Sequence, residues 1–141
     1  MFARILVGYD GSFEAQAALR LALELARHDD GARVTAVAVA HLPRAPATVG
    51  EVHEERQVQE ARCRQWLAAA VAYAHDCDQR IDTQTVLGRT APALVRAAVQ
   101  QEADLLVVGA ARRRMPWARL RRCSTTAVAR AAPCPVLIAH R

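Results

Sequence analysis

The residues best suited to chemistry lie in the last third of the chain, where a strand-like run is followed by glycine, arginines and hydroxyl side chains. The apolar run Leu105 to Val108 predicts a strand buried on both faces, and it ends at Gly109. Residues 123–126 (Cys-Ser-Thr-Thr) are candidate N-caps for a short helix over Ala127 to Ala132. A strand, a glycine, a loop and a helix N-terminus are typical of a phosphate site, because free backbone N–H groups and the helix dipole both attract an anion.

The loop between this strand and this helix carries most of the excess positive charge. The chain has 19 basic residues, all of them arginine, against 14 acidic residues, for a net charge of +5. Six of these arginines lie between Arg112 and Arg122 with no acidic residue among them, so the rest of the chain has 13 − 14, or −1. The basic character is therefore local.

Three interpretations of this arginine loop (residues 112–122) stay open. It is a solvated basic loop, or an anion site in which guanidinium groups grip phosphate in bidentate fashion, or a docking patch for an acidic protein or nucleic acid. The sequence disfavours nucleic acid, since it has no helix-turn-helix or RNA-binding signature and a patch of this size supports only weak, salt-sensitive binding.

Other chemistry-bearing residues are scattered. The four cysteines have no C-x-x-C pair or zinc spacing and are interpreted as free thiols, and the five histidines do not suggest a metal site. Arginines and a helix N-terminus around Cys123 would favour a reactive thiolate, and the alternative is an inert small residue in place of serine. No constellation of nucleophile, base and acid is visible, so we do not expect an enzyme.

The size and composition favour one globular domain over residues 1–141, of which 52% are hydrophobic. No apolar run approaches the roughly 20 residues that a membrane helix needs. The first strand-like run, Ile5 to Tyr9, is too short for the core of a secretory signal, and we therefore expect a cytoplasmic protein.

Apolar runs and turn signals divide the chain into alternating strands and helices. Predicted strands cover Ile5–Tyr9, Val34–Ala40, Ile81–Leu87, Leu105–Val108 and Val136–Ala139, and predicted helices cover Phe13–His28, Glu51–Ala74, a segment capped by Thr90 and ending near Glu102, and Ala127–Ala132. On the long second helix the inner face is predicted to include Val58, Trp66, Leu67 and Val71, with Trp66 as a packing residue.

This alternation predicts an α/β fold with a five-stranded parallel sheet, doubly wound, in three layers of helix, sheet and helix. Ligands of such sheets bind beyond the carboxyl ends of the strands, at the point where the strand order reverses. With the order 3-2-1-4-5, that point lies between the first and fourth strands. It would bring Gly8 to Ser12 beside the segment from Gly109 to Ser124.

Several motifs resemble the universal stress protein family, at the family's spacing and across the whole chain. The opening resemblance is Ile5-Leu6-Val7 with Asp10-Gly11-Ser12. Gly88 with Pro92, Ala103-Asp104-Leu105 and Val108-Gly109 follow in the third quarter. The close is residues 132–137, Ala-Pro-Cys-Pro-Val-Leu.

The resemblance implies a flavodoxin-like (Rossmann-like) fold, a homodimer through the last strand and, in some members, ATP binding. Binders carry glycine, two residues, glycine, nine residues, then glycine with serine or threonine. Aligned without gaps, Gly109 fits the first position, but Arg112, Arg122 and Cys123 replace the second glycine, the third glycine and the hydroxyl residue. Arginine there lacks the freedom of glycine to let backbone N–H groups approach phosphate.

The nucleotide site implied by the resemblance is then made of Gly8, Asp10, Val39, Val108, Gly109, Arg112, Arg122, Cys123 and Ser124. Asp10 matches an aspartate near the adenosine in binders, and its alternative role is to satisfy the turn before the first helix. Gly8 and Val39 match positions where backbone meets the base.

Two functional hypotheses follow. The first is a cytoplasmic stress-response protein that acts through protein contacts, has no assigned cofactor and does not bind ATP efficiently. The second is an atypical module for ATP or another adenine nucleotide, in which loop arginines replace the phosphate-loop glycines. A weak ATPase is a third, less supported hypothesis.

Overall fold

The computed structural model describes residues 2–41, 48–110 and 124–140. Strands and helices alternate along them: β1 (Arg4–Gly8), α1 (Phe13–Arg27), β2 (Arg33–Ala40), α2 (Val49–Asp76), β3 (Asp82–Leu87), α3 (Thr90–Gln100), β4 (Leu105–Gly109), α4 (Ser124–Ala131) and β5 (Val136–Ala139). The predicted strands agree with these bounds to within one residue at each end, and the last strand agrees at both ends.

The five strands form one parallel sheet in the order β3-β2-β1-β4-β5. Val7 of β1 pairs with Ala36 of β2 on one side and with Val107 of β4 on the other. The predicted fold class and strand order are confirmed. The third strand lies at one edge of the sheet, as its alternating pattern indicates, and β5 lies at the other.

Helices cover both faces of the sheet. Because successive side chains of a strand point to opposite faces, Ile5 and Val7 belong to the hydrophobic cluster beneath α1 and α2, whereas Leu6 belongs to the cluster beneath α3 and α4. Leu94 of α3 and Val128 of α4 close this second cluster. The carboxyl ends of β1 and β4 therefore lie between α1, which packs on one face of the sheet, and α4, which packs on the other.

The buried face of α2 differs from the prediction. Val58 and Val71 are 54% and 43% exposed, whereas Cys63 and Leu67 are buried. No residue from 49 to 62 is buried, since the helix meets the sheet only in its second half. Leu67 is buried as predicted, so the periodicity of the apolar residues predicted the inner face of α2 in part.

The start of α3 also differs from the prediction. Its N-cap is Arg89, which makes no side-chain cap hydrogen bond, and Thr90 is the first helical residue. The Thr90 hydroxyl lies 3.3 Å from His41 Nε2, at the end of β2, so it bonds across to the neighbouring strand end rather than to its own helix. None of the described helices is long and apolar enough to cross a membrane.

Candidate functional site

The candidate site lies where β1 and β4 end side by side. These strands pair from Ile5–Leu105 to Val7–Val107, after which the chain turns to α1 on one face and, beyond β4, to α4 on the other. This is the predicted switch point. Such a crevice is where ligands bind in open α/β sheets.

Asp10 completes the turn after β1 and remains exposed to solvent. Its Oδ1 accepts a hydrogen bond from the backbone N–H of Ser12 at 3.0 Å, and the Ser12 hydroxyl accepts one from the N–H of Ala15 at 3.1 Å as the N-cap of α1. Gly11 between them has φ +77°, a conformation that glycine adopts without strain. The carboxylate thus satisfies its own turn, and its other oxygen accepts no hydrogen bond from the described residues.

Tyr9 anchors the residue before Asp10. Its side chain is 5% exposed, and its hydroxyl donates to Gln16 Oε1 at 2.8 Å, while its backbone N–H donates to the carbonyl of Val37 at 2.8 Å. Burial raises the pKa of the Tyr9 hydroxyl, and the negative charge of Asp10 raises it further. The start of the turn is therefore fixed to both α1 and β2.

Trp66 covers the same turn from α2. The ideal Cβ position of Gly11 lies only 2.5 Å from Trp66 Cδ1 and 2.6 Å from Nε1. The indole is partly buried and packs against the cluster beneath α1 and α2, so its predicted role as a packing residue is confirmed. Sequence reasoning did not connect it with the Asp10 turn, because only the fold brings α2 over residue 11.

The predicted base-contacting residues share the face covered by α3. Gly8 has no room for a side chain there, because a Cβ would lie 3.0 Å from Leu94 Cδ1 and 3.4 Å from Val108 Cγ1. Val39 and Val108 are 7% and 6% exposed and belong to the same cluster. These residues form an apolar floor on either side of β1, and helix packing alone would also favour their small or branched side chains.

Gly109 is enclosed by the first turn of α1. A Cβ at this position would lie 2.5 Å from the carbonyl carbon of Glu14 and 2.7 Å from its Cβ. The carbonyl oxygen of Gly109 accepts a hydrogen bond from the Thr125 hydroxyl at 3.1 Å, which ties β4 to the first turn of α4. The close approach of α1 is therefore what requires glycine at this position.

The predicted phosphate end is only partly described. Ser124 is the first residue of α4. Arg112, Arg122 and Cys123 lie outside the described residues, so their predicted roles stay predictions. Within the described ranges no three His, Cys, Asp or Glu side chains form a group that could hold a metal ion.

A groove of about 420 Å³ lies at the opposite, amino edge of the sheet. Its charged side chains already have partners, since Arg4 pairs with Glu102 at 2.8 Å and Arg33 pairs with Asp82 at 3.4 Å. These pairs are largely exposed and contribute little to stability. The carboxyl edge, with its exposed Asp10, is therefore the better candidate site.

Comparison with known proteins points to one family. The universal stress protein family model matches residues 1–140. A universal stress protein of Thermus aquaticus, from the QAH/OAS sulfhydrylase 3′ region, is 33% identical over 138 residues, which cover 98% of each chain.

Solved structures of similar proteins share the fold. Universal stress protein UspA from Lactobacillus plantarum superposes with a TM-score of 0.80 at 25% identity and covers 97% of both chains. A universal stress protein in complex with cAMP gives a TM-score of 0.71 at 24% identity and covers 99% of this chain and 97% of its own.

Proposed function

This chain belongs to the universal stress protein family, and we propose that it acts in the cytoplasmic stress response through protein contacts and does not bind ATP efficiently. The observation that carries this proposal is the contrast between the two ends of the site. Asp10, at the adenosine end, lies in a turn closed by its hydrogen bond from the Ser12 N–H, and the residue is exposed. At the phosphate end, Arg112 and Arg122 replace two of the three loop glycines.

The glycine that is present does not by itself indicate phosphate binding. Gly109 has to be glycine because of its contact with Glu14, whether or not a phosphate approaches its backbone. At the other two glycine positions of the loop pattern, where glycine would be needed for phosphate binding, this chain has Arg112 and Arg122. A Cβ at those positions keeps backbone N–H groups away from oxygens, and a positive φ there would cost roughly 1 kcal/mol or more.

The protein contacts that we propose include a homodimer through β5. This strand lies at the edge of the sheet and pairs with β4 on one side. Its sequence is apolar, VLIA, and Ile138 is 38% exposed. An apolar edge strand readily pairs with a second chain. A further surface for an acidic protein partner would be the arginine loop, which holds six positive charges.

A second candidate function is an adenine-nucleotide module in which arginines hold the phosphates. It is favoured by the exposed Asp10 carboxylate at the switch point and by the ability of guanidinium groups to replace backbone contacts to phosphate. A protein of the same fold was solved with cAMP. Both candidates share the adenosine end of the site and differ in what the loop contributes. We propose no enzymatic activity for either.

The experiment that separates them is a calorimetric titration with adenosine, AMP and Mg-ATP at low and at moderate salt. If the loop does not hold phosphate, the three ligands bind alike and weakly, and any gain for ATP disappears with salt. If the arginines grip the phosphates, ATP binds at least tenfold more tightly than adenosine at both salt concentrations, and the second candidate replaces the first. If adenosine does not bind, the site around Asp10 does not hold adenosine, and this part of both candidate functions is overturned. Phosphate release from ATP would contradict the absence of enzymatic activity.

A further inference from the structure

The contact between Trp66 and Gly11 joins α2 to the turn that presents Asp10. Three indole atoms, Cδ1, Nε1 and Cγ, lie 2.5, 2.6 and 3.2 Å from the ideal Cβ position of Gly11. Real Cβ atoms do not approach other atoms this closely, so the ring occupies the space that any other residue at position 11 would need. The indole therefore confines the backbone at Gly11.

This confinement matters because, within the part of the chain that the structure describes, Gly11 is the one residue of the turn without another anchor. Tyr9 is fixed by Gln16 and Val37, and Ser12 is fixed as the N-cap of α1. Glycine has the most backbone freedom of any residue. Without the indole, the turn could change at Gly11 and lose the 3.0 Å hydrogen bond from Ser12 to Asp10 Oδ1.

The ring itself is held by a rigid support. Cys63, Leu67 and Ala70, on the same stretch of α2, are buried at 0%, 6% and 0% exposure, and they fix this part of the helix against the sheet. Packing against such a support restricts the rotamer of the tryptophan, so the indole holds its position beside Gly11.

We propose that Trp66 is a positioning residue for the adenosine end of the site: it holds the Asp10–Ser12 turn and thereby aims the Asp10 carboxylate into the crevice. The proposal rests on the proposed function in one respect, that Asp10 contacts adenosine. Trp66 touches the turn from the side of α1 and α2, so it acts through Asp10 and not on the ligand.

The test compares four variants, all made in a protein that carries Trp117→Phe. In this parent protein Trp66 is the single tryptophan. Trp66→Leu removes the ring, Trp66→Phe keeps a smaller ring, and Asp10→Asn removes the charge that the turn presents. Leu23→Ala is the matched control, because it removes a buried leucine from α1 and so lowers stability without altering Trp66, its support on α2 or Gly11. Thermal unfolding identifies variants that fail to fold.

Adenosine affinity is the first readout. We expect Trp66→Leu and Asp10→Asn each to weaken adenosine binding by about tenfold, the effect of one hydrogen bond to a charged group. Their combination should be no worse than either alone, since both remove the same contact. Trp66→Phe should recover much of the loss, and Leu23→Ala should retain the affinity. Additive losses in the double variant, or unchanged affinity in Trp66→Leu, would overturn the proposal.

Hydrogen exchange of the Ser12 amide is a second readout that needs no ligand. This N–H donates to Asp10, and it should exchange about tenfold faster in Trp66→Leu but not in Leu23→Ala. An unchanged Ser12 amide would overturn the positioning role even if adenosine binds. A faster amide in a protein that binds no adenosine would support the positioning of Asp10 and refute the proposed ligand, so the two failures are distinguishable.

Discussion

Gly109 at the end of β4 lies against the backbone of Glu14, so closely that a Cβ on the glycine would stand 2.5 Å from the Glu14 carbonyl carbon. This contact brings the first turn of α1 onto the carboxyl end of β4. The first turn of α4 reaches the same end of β4, since the Thr125 hydroxyl donates to the carbonyl of Gly109. The geometry of the candidate site thus depends on a helix-packing contact that any sequence with this fold must satisfy, whatever it binds.

We expect Gly109→Ala to lower the free energy of unfolding by about 1–3 kcal/mol, the usual effect of overpacking, because the obstacle is backbone and cannot rotate away. The matched control is Gly50→Ala, since Gly50 lies in α2 with nothing within 4 Å of its ideal Cβ position. The control should be neutral or more stable by up to about 1 kcal/mol through helix propensity. Urea unfolding measures both. Equal stabilities for the two variants would contradict the close contact.

Secondary structure and sheet order could be predicted from the sequence where they depend on residues that are close together along the chain. The run Val136 to Ala139 marks a strand because its apolar residues stand between turn signals, and the alternation of such runs with helices determines the sheet order through the crossover rule. The position of Asp10 at the carboxyl edge of the sheet could be predicted because it directly follows the first strand; its role beside adenosine rests on the family resemblance and stays a prediction.

Contacts between elements distant in sequence could not be predicted. The reason for Gly109 lies in α1, about 95 residues away, and the partner of Gly11 lies in α2. Val58 is exposed because the first half of α2 does not meet the sheet, and an apolar pattern does not show where that contact ends. Val71 lies in the half of α2 that meets the sheet, but it is exposed, whereas Leu67, Ala70 and Ala74 are buried. Residues 112–123, where the phosphate end is predicted, lie outside the described residues.

Tyr9 should make the protein sensitive to alkali. Burial and, secondarily, the charge of Asp10 raise the pKa of Tyr9 in the folded state. The folded chain therefore holds this proton more tightly than the unfolded chain, whose tyrosine has a pKa of about 10. The resulting stability is fully present below about pH 10 and is lost as the pH rises through the folded pKa.

Tyr9→Phe should remove this contribution to the alkaline loss of stability, although it also removes the hydrogen bond to Gln16. Denaturant unfolding at pH 8 and at about pH 11 gives the comparison: the variant should be less stable at pH 8 and should lose less stability between the two values. Tyr73, whose pKa is also raised chiefly by burial, would still contribute. An identical loss in variant and parent would show that Tyr9 titrates normally.

The four cysteines should react at different rates. Burial raises the pKa of the fully buried Cys63, and burial with the nearby charge of Asp104 raises that of Cys134. Since the thiolate is the nucleophile, both should react with iodoacetamide more slowly in the folded protein than in urea. Mass spectrometry of digested, partly alkylated protein gives the order. If Cys123 is a reactive thiolate among arginines, it reacts first; if it reacts no faster than Cys77, that hypothesis is wrong.

The proposed dimer through β5 predicts that a charge at its edge separates the protomers. Ile138→Glu places a carboxylate on the exposed part of the strand, where 38% exposure allows it to stay folded. The matched control is Thr85→Glu, on the exposed side of β3 at the other edge of the sheet. Light scattering should give a monomer for Ile138→Glu and a dimer for the control. A dimer in both would place the interface elsewhere, and a monomer in the parent would remove the homodimer altogether.

Restoring the phosphate loop tests whether the lost glycines are what prevents ATP binding. The triple variant Arg112→Gly, Arg122→Gly, Cys123→Ser recreates the spacing of glycines that begins at Gly109, with a hydroxyl residue at its end. Glycines let backbone N–H groups reach the phosphate oxygens, so this variant should bind Mg-ATP at least about tenfold more tightly than adenosine. The matched control, Arg112→Ala with Arg122→Ala, removes the same charges without restoring the backbone freedom and should gain nothing. Loss of an existing ATP affinity in this control would show that the arginines had gripped the phosphates, and no gain in the triple variant would show that the pocket is closed by residues other than these three.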